Sequence, residues 1–196
     1  MSTKSMITDF LQRELTGSQL GAHAYDHSMR VYSLAMQLSK GLQVNTRVLE
    51  AAALLHDVGR AREDESGVSH SILSGEMSRE YLRELGYSAG EIQHVVDAIR
   101  THRFSEKVEP TSLEGQILSD ADRLDAIGAI GVFRAIAQAT ASGIGIQGFL
   151  NHAEEKLLRL KDSMYTAPAR KLAAERHRTL HRFVQQLKQE ISSEHQ

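Results

Sequence analysis

At 196 residues and 21.8 kDa, the chain has room for one large domain or two small ones, and length alone favours one. A net charge of -2 gives no bulk case for nucleic-acid or membrane binding. The absence of cysteine excludes disulfides, thiolate metal sites, iron–sulfur clusters and cysteine nucleophiles. Two prolines, no tryptophan and few aromatics favour helix over sheet. Ten histidines call for an explanation, because imidazole is both a metal ligand and a proton carrier.

Apolar residues recur at helical spacing nearly throughout, so the expectation is an all-α fold. Met6, Ile7, Phe10 and Leu11 make a first short stripe. His27, Val31, Leu34, Ala35 and Leu38 make a second, stopped at Gly41. Asn45 caps a third helix, which carries Leu49, Ala52, Ala53 and His56 and ends by Gly59. The polar stretch 60–69 reads as a loop. His70, Leu73, Met77 and Tyr81 mark a fourth helix ending at Gly86. Ser88 with Glu91 is a capping box that opens a fifth helix through Ile92, Val95, Val96, Ile99 and His102. After the turn at Pro110, a helix runs through Leu113, Ile117, Leu118 and Asp122. Ile130, Phe133, Ile136 and Ala137 form the apolar stripe of the next. Residues 143–148 read as a flexible break, and the last 45 residues as two helices separated near Thr166 and Pro168.

The N-terminus has charges at Lys4, Asp9, Arg13 and Glu14, so no signal-peptide core interrupts the reading, and no run approaches the length of a membrane span. A cytoplasmic protein with no membrane partner is expected.

Four of the histidines, His27, His56, His70 and His102, fall on the apolar stripes of different helices. A core-facing polar group costs roughly 1–3 kcal/mol unless it has a partner. One metal ion is the simplest partner they can share. Asp57 adjoins His56, and Asp122 lies in the segment DADRLD. Two imidazoles and two carboxylates form a mixed nitrogen and oxygen set that suits Mn²⁺, Fe²⁺, Co²⁺, Ni²⁺ or Zn²⁺. Four ligands on an ion that accepts six leave room for water and a phosphate oxygen.

The pattern His27, His56-Asp57, Asp122 resembles the H…HD…D signature of the HD-domain superfamily of metal-dependent phosphohydrolases. His70, the stretch IRTHRF around His102, SDADRLDAIGAIGVFR from Ser119 to Arg134 and the closing EKLLRLKDSMYTAPARKLAAERH are similar to the bacterial YedJ/YpgQ-type subgroup. The resemblance implies a helical bundle with the metal between helices, an HD core at about 22–130 and helices packed on it at about 131–196. It implies divalent metal (Mn, Co, Ni, Fe, Zn or Mg; one ion or two) at His27, His56, Asp57 and Asp122. It also implies hydrolysis of a phosphorylated small molecule, nucleoside triphosphate to monophosphate and pyrophosphate, by metal-activated water. A phosphomonoesterase, a cyclic-nucleotide phosphodiesterase and a silent nucleotide-binding module are the alternatives.

Arg30 shares a helical face with His27, and Arg60 follows Asp57 by three residues; both are candidates to hold phosphate oxygens. His70 and His102 complete a second metal site in two-metal relatives, or contact phosphate in one-metal relatives. Asp125, one turn after Asp122, is a candidate to orient a ligand or the nucleophilic water. Monophosphate nucleotidases of the superfamily tend to have a carboxylate where Arg60 stands, which counts against that activity. Glu63, Asp64 and Glu65 read as a solvated charge run.

Three other signals carry little. Gly143, Gly145 and Gly148 match a dinucleotide fingerprint but lack the strand before it. His177 and His181, one turn apart, lack the glutamate of a zinc-protease helix. The basic stretch from Lys156 to Lys188 reads as a solvated face or a lure for an anionic substrate rather than a nucleic-acid site. The apolar C-terminal helix suggests a homodimer.

Overall fold

The computed structural model describes residues 2–15 and 21–193, with side chains in the second stretch described from residue 25. Among the described residues every regular element is helical. In chain order these are α1 (Thr3–Leu15), α2 (Gly21–Leu38), α3 (Thr46–Leu55), α4 (Glu63–Ser66), α5 (His70–Glu84), α6 (Ala89–Thr101), α7 (Leu113–Asp125), α8 (Gly128–Ala141), α9 (Gly145–Glu155) and α10 (Ala167–Ser193). Short 3₁₀ turns occupy Arg60–Arg62, Phe104–Glu106 and Leu157–Ser163. The chain divides into two compact units, 1–122 and 123–196.

The first unit is organised around α3. Its sequence TRVLEAAALL is apolar on nearly all sides, and Val48, Leu49 and Ala51 through Leu55 are all buried. A helix of that kind needs neighbours all round, and α1, α2 and α6 supply them. Asn45 caps α3 as expected, its side chain accepting from the Val48 amide at 3.2 Å. Helices α5 and α6 pack as an antiparallel pair across the turn at Gly86. There φ is +71°, a left-handed conformation that favours glycine. The capping box forms in both directions: Ser88 Oγ accepts from the Glu91 amide and Glu91 accepts from the Ser88 amide. The result places the ends of α3 and α6 and the start of α5 at one end of this unit.

The stretch 60–69 is more ordered than a loop, since a 3₁₀ turn and the single turn of α4 fill it. Its structure comes from contacts made by individual side chains, which hydrophobic periodicity does not register.

In the second unit, α8 packs on α9 and α10, and α10 also packs on the 3₁₀ turn. The predicted helix through Ile130, Phe133, Ile136 and Ala137 forms, as α8. The stripe of α8 faces outward, with Phe133 67%, Ile130 39% and Ile136 38% exposed. The buried side carries Gly128, Gly131, Val132 and Ala139. At Gly131 a Cβ would meet the carbonyl of Ala126, in the turn before α8, at 2.3 Å. One expectation fails: residues 143–148 are not a continuous break, because α9 begins at Gly145.

Candidate metal centre

Two helix ends present imidazoles in the same way. His56 caps the C-terminus of α3, and His102 caps that of α6. A helix C-terminus leaves carbonyls without intrahelical partners, and each ring uses one. His56 Nδ1–H donates to the Ala53 carbonyl at 2.9 Å, and His102 Nδ1–H to the Ile99 carbonyl at 2.6 Å. A carbonyl only accepts, so Nδ1 carries the proton and the Nε2 of a neutral ring is left with its lone pair.

Both Nε2 atoms turn toward Asp57, in the turn after α3. Its two oxygens face different imidazole pairs. Oδ2 lies 3.9 Å from His56 Nε2 and 3.7 Å from His27 Nε2, on α2. Oδ1 lies 3.2 Å from His70 Nε2, at the first residue of α5, and 3.6 Å from His102 Nε2. His27, His56 and Asp57 thus form one compact ligand group, and Asp57, His70 and His102 another, with all five residues buried. Asp122, in the last turn of α7, joins through His27, its Oδ1 3.3 Å from His27 Nε2.

These groups lie within hydrogen-bonding or ion-pairing range of one another. His56 Nε2 faces His27 Nε2 at 3.2 Å. Burial drives the His56 pKa down to about 4, against the pull of Asp57, so the ring is neutral at pH 7. Asp57 Oδ1 is buried and accepts no hydrogen bond. Burial alone would raise the Asp57 carboxyl, but His56, His102, Arg60 and His27 outweigh it and hold it well below the usual carboxylate range. The same contest, won by His27, His102 and His56, keeps Asp122 ionised. Burial lowers the His70 pKa, whereas Asp57 and Asp122 raise that of His102 in spite of its burial. An ionised, buried carboxylate with the Nε2 atoms of four imidazoles around it fits a divalent cation of mixed nitrogen and oxygen preference.

Arg60 stands at the edge of this cluster. Its Nη1 is 3.7 Å from Asp57 Oδ2 and 3.5 Å from His70 Nε2, and its side chain is 43% exposed. Arg30 is partly buried on α2, one turn after His27. Asp125 behaves differently. It is fully buried and its Oδ2 accepts from Arg134 Nη1 at 2.6 Å.

Glu63 was the least expected participant. It reads as part of a solvated acidic run, yet its Oε2 accepts from His70 Nδ1 at 2.8 Å and its Oε1 from Arg103 Nη1 at 2.5 Å. Burial would raise its carboxyl, but the bonds from His70 and Arg103 bring it down to about 2. The available signal was the recurrence of His70 seven residues on, in a segment with no periodicity to suggest that the chain turns back.

A family model for the HD domain matches residues 24–127. Bacillus subtilis YpgQ is 36% identical over 193 residues, 94% of this chain and 92% of that protein. The chain belongs to the HD-domain family. Solved structures agree. That of B. subtilis YpgQ in complex with ADP has a TM-score of 0.78 at 34% identity, covering 95% of this chain and 94% of that one. A predicted HD-superfamily hydrolase from an uncultured Thermotogales bacterium has a TM-score of 0.73 at 30% identity, covering 95% and 91%. The HD chain described here is accordingly a metal-dependent phosphohydrolase of all-α fold. Asp57 is the residue shared by both ligand groups, and His56, its neighbour in the sequence, belongs to the first.

Proposed function

We propose that this HD hydrolase cleaves nucleoside triphosphates to monophosphate and pyrophosphate. His27, His56, Asp57 and Asp122 would hold one divalent cation; His70 and His102, sharing Asp57, would hold a second. The observation that carries the cation reading is the buried Asp57 carboxylate, with one oxygen toward each imidazole pair and Oδ1 accepting no hydrogen bond. The nucleotide reading rests on YpgQ, a relative along nearly the whole chain whose crystal structure contains ADP.

A bound divalent ion supplies Lewis acidity at a phosphoryl oxygen and lowers the pKa of coordinated water. The chain's own groups do the rest. His56 and His102 are held by backbone carbonyls, so their Nε2 atoms need no reorientation when a ligand arrives. Arg60, close to Asp57 but reaching into solvent, is placed to hold a phosphate oxygen with a planar guanidinium, and Arg30 is a second candidate for the same work.

The test is to strip the protein of metal, resupply Mn²⁺, Co²⁺ or Ni²⁺, and screen nucleoside mono-, di- and triphosphates. Pyrophosphate and monophosphate in equal amounts are expected from triphosphates. Orthophosphate alone would replace the proposal with a phosphomonoesterase. Tight nucleotide binding without turnover would replace it with a silent module.

A further inference from the structure

The centre holds three imidazoles by Nδ1, but not with the same kind of acceptor. His56 and His102 lie at helix C-termini, where free carbonyls are at hand. His70 is the first residue of α5. A helix N-terminus offers N–H donors and no free carbonyl, so nothing in α5 itself can accept from His70 Nδ1. Glu63 does so instead, from outside the helix. Oε2 takes the Nδ1 proton at 2.8 Å and Oε1 takes the His70 backbone amide at 3.3 Å.

Several neighbours keep Glu63 there. Gly67, at φ +67°, ends α4 in a left-handed turn that a side chain would strain, and brings the chain back on itself. Arg103 Nη1 binds Glu63 Oε1 at 2.5 Å and Ser69 Oγ at 3.0 Å. Ser69, the N-cap of α5, also donates to Glu106, which takes Ser71 Oγ at 2.8 Å. The chain therefore spends two acids, one arginine and two hydroxyls on fixing the start of α5.

We propose that Glu63 is the positioning residue of His70: its carboxylate sets the Nδ1–H tautomer and turns Nε2 toward Asp57, supplying at a helix N-terminus the acceptor that His56 and His102 draw from helix C-termini. Its claim on the ring is independent of any cation; its consequence for cation binding rests on the function proposed above. A group that orients a ligand in this way is typically worth about 10–100-fold in metal affinity.

Nitrogen-15 NMR of the metal-free protein reads the tautomer of each ring directly. Wild type is expected to show His56, His70 and His102 with Nδ1–H. In Glu63→Ala, His70 should become a mixture of tautomers while His56 stays unchanged, which also reports an intact fold. Glu63→Gln keeps an acceptor oxygen and should restore the His70 signal. Titration with Mn²⁺ should show affinity at one of two positions falling about 10–100-fold in Glu63→Ala and recovering in part in Glu63→Gln. An unchanged His70 spectrum in Glu63→Ala, or a wild-type His70 protonated at Nε2, overturns the proposal. A wild type that takes up no Mn²⁺ yet loses the His70 tautomer in Glu63→Ala supports the positioning role and overturns the proposed function instead.

Discussion

Two parts of the molecule pair histidines at close range, and they differ in everything except the side chain. At the HD centre each ring is buried, and those of His56, His70 and His102 are pinned at the outer nitrogen. Asp57 and Asp122 stand among the inner nitrogens. On α10, His177 and His181 stack at 5.8 Å between ring centroids on a largely exposed face that also carries Arg178 and Arg182. His177 is depressed there by burial, Lys161 and His181, with Asp162 opposing. Spacing alone makes the α10 pair look like a chelate. What it lacks is a buried anion and rings fixed by acceptors, and those are what turn imidazoles into a cation site.

The contrast breaks most sharply at Asp57. Asp57→Ala should lower kcat/KM on the productive nucleotide by more than about 100-fold, beyond the range of groups that only orient a ligand. Steady-state kinetics with Mn²⁺ would show it, and a loss below tenfold would contradict the central role of that carboxylate.

The next effect is on stability of the metal-free protein. His56 has a pKa of about 4 when folded and 6.5 when unfolded. Between those values the unfolded chain binds a proton that the folded chain does not, so stability falls as pH drops. From His56 alone the fall is roughly 3 kcal/mol. The depressed carboxyls of Asp57 and Asp122 act in the same direction at lower pH, and the raised His102 opposes. Urea unfolding at pH 7, 5.5 and 4 tests the sum. The decline should survive His177→Gln/His181→Gln; a decline that vanishes in that variant would place the titration on α10 instead.

Gly59 sharpens the comparison from the packing side. A Cβ there would lie 2.6 Å from the Ser74 amide nitrogen and 2.7 Å from Leu73 Cβ, so α5 must move. Overpacking of this kind costs about 1–3 kcal/mol. Gly59→Ala should lower the Tm and weaken Mn²⁺ binding, since His70 opens α5. An unchanged Tm would show that the two segments give way freely. Smallest of all, His177→Gln/His181→Gln should leave Mn²⁺ content unaltered and turnover within about twofold of wild type, the scale of a surface change worth ~0.5 kcal/mol. Loss of bound metal there would make α10 a site after all.

The side chains that gather around Asp57 were legible in the sequence because an adjacent His and Asp, with distant His and Asp partners on apolar stripes, is an uncommon pattern. Helix ends were legible where local chemistry marks them, at Asn45, Gly86 and Ser88. Glu63 was not, because its partner depends on how residues 60–67 turn, and a polar, aperiodic segment carries no periodic sign of that path. The outward direction of the α8 stripe is hidden from the sequence for a related reason. Helical spacing finds an apolar face, but the face that is buried carries Gly128, Gly131, Val132 and Ala139. Asp125 shows a third limit: spacing places it one turn from Asp122 but does not reveal its contact with Arg134.

The central claim is that side chains from separate helices converge on cations around Asp57. Crystals of the metal-free protein soaked in Mn²⁺ and measured at the manganese absorption edge test it directly. The account predicts anomalous density within coordination distance, roughly 2–2.5 Å, of the Asp57 carboxylate and the Nε2 atoms of His27 and His56. An occupied site elsewhere, with no density beside Asp57, would contradict it.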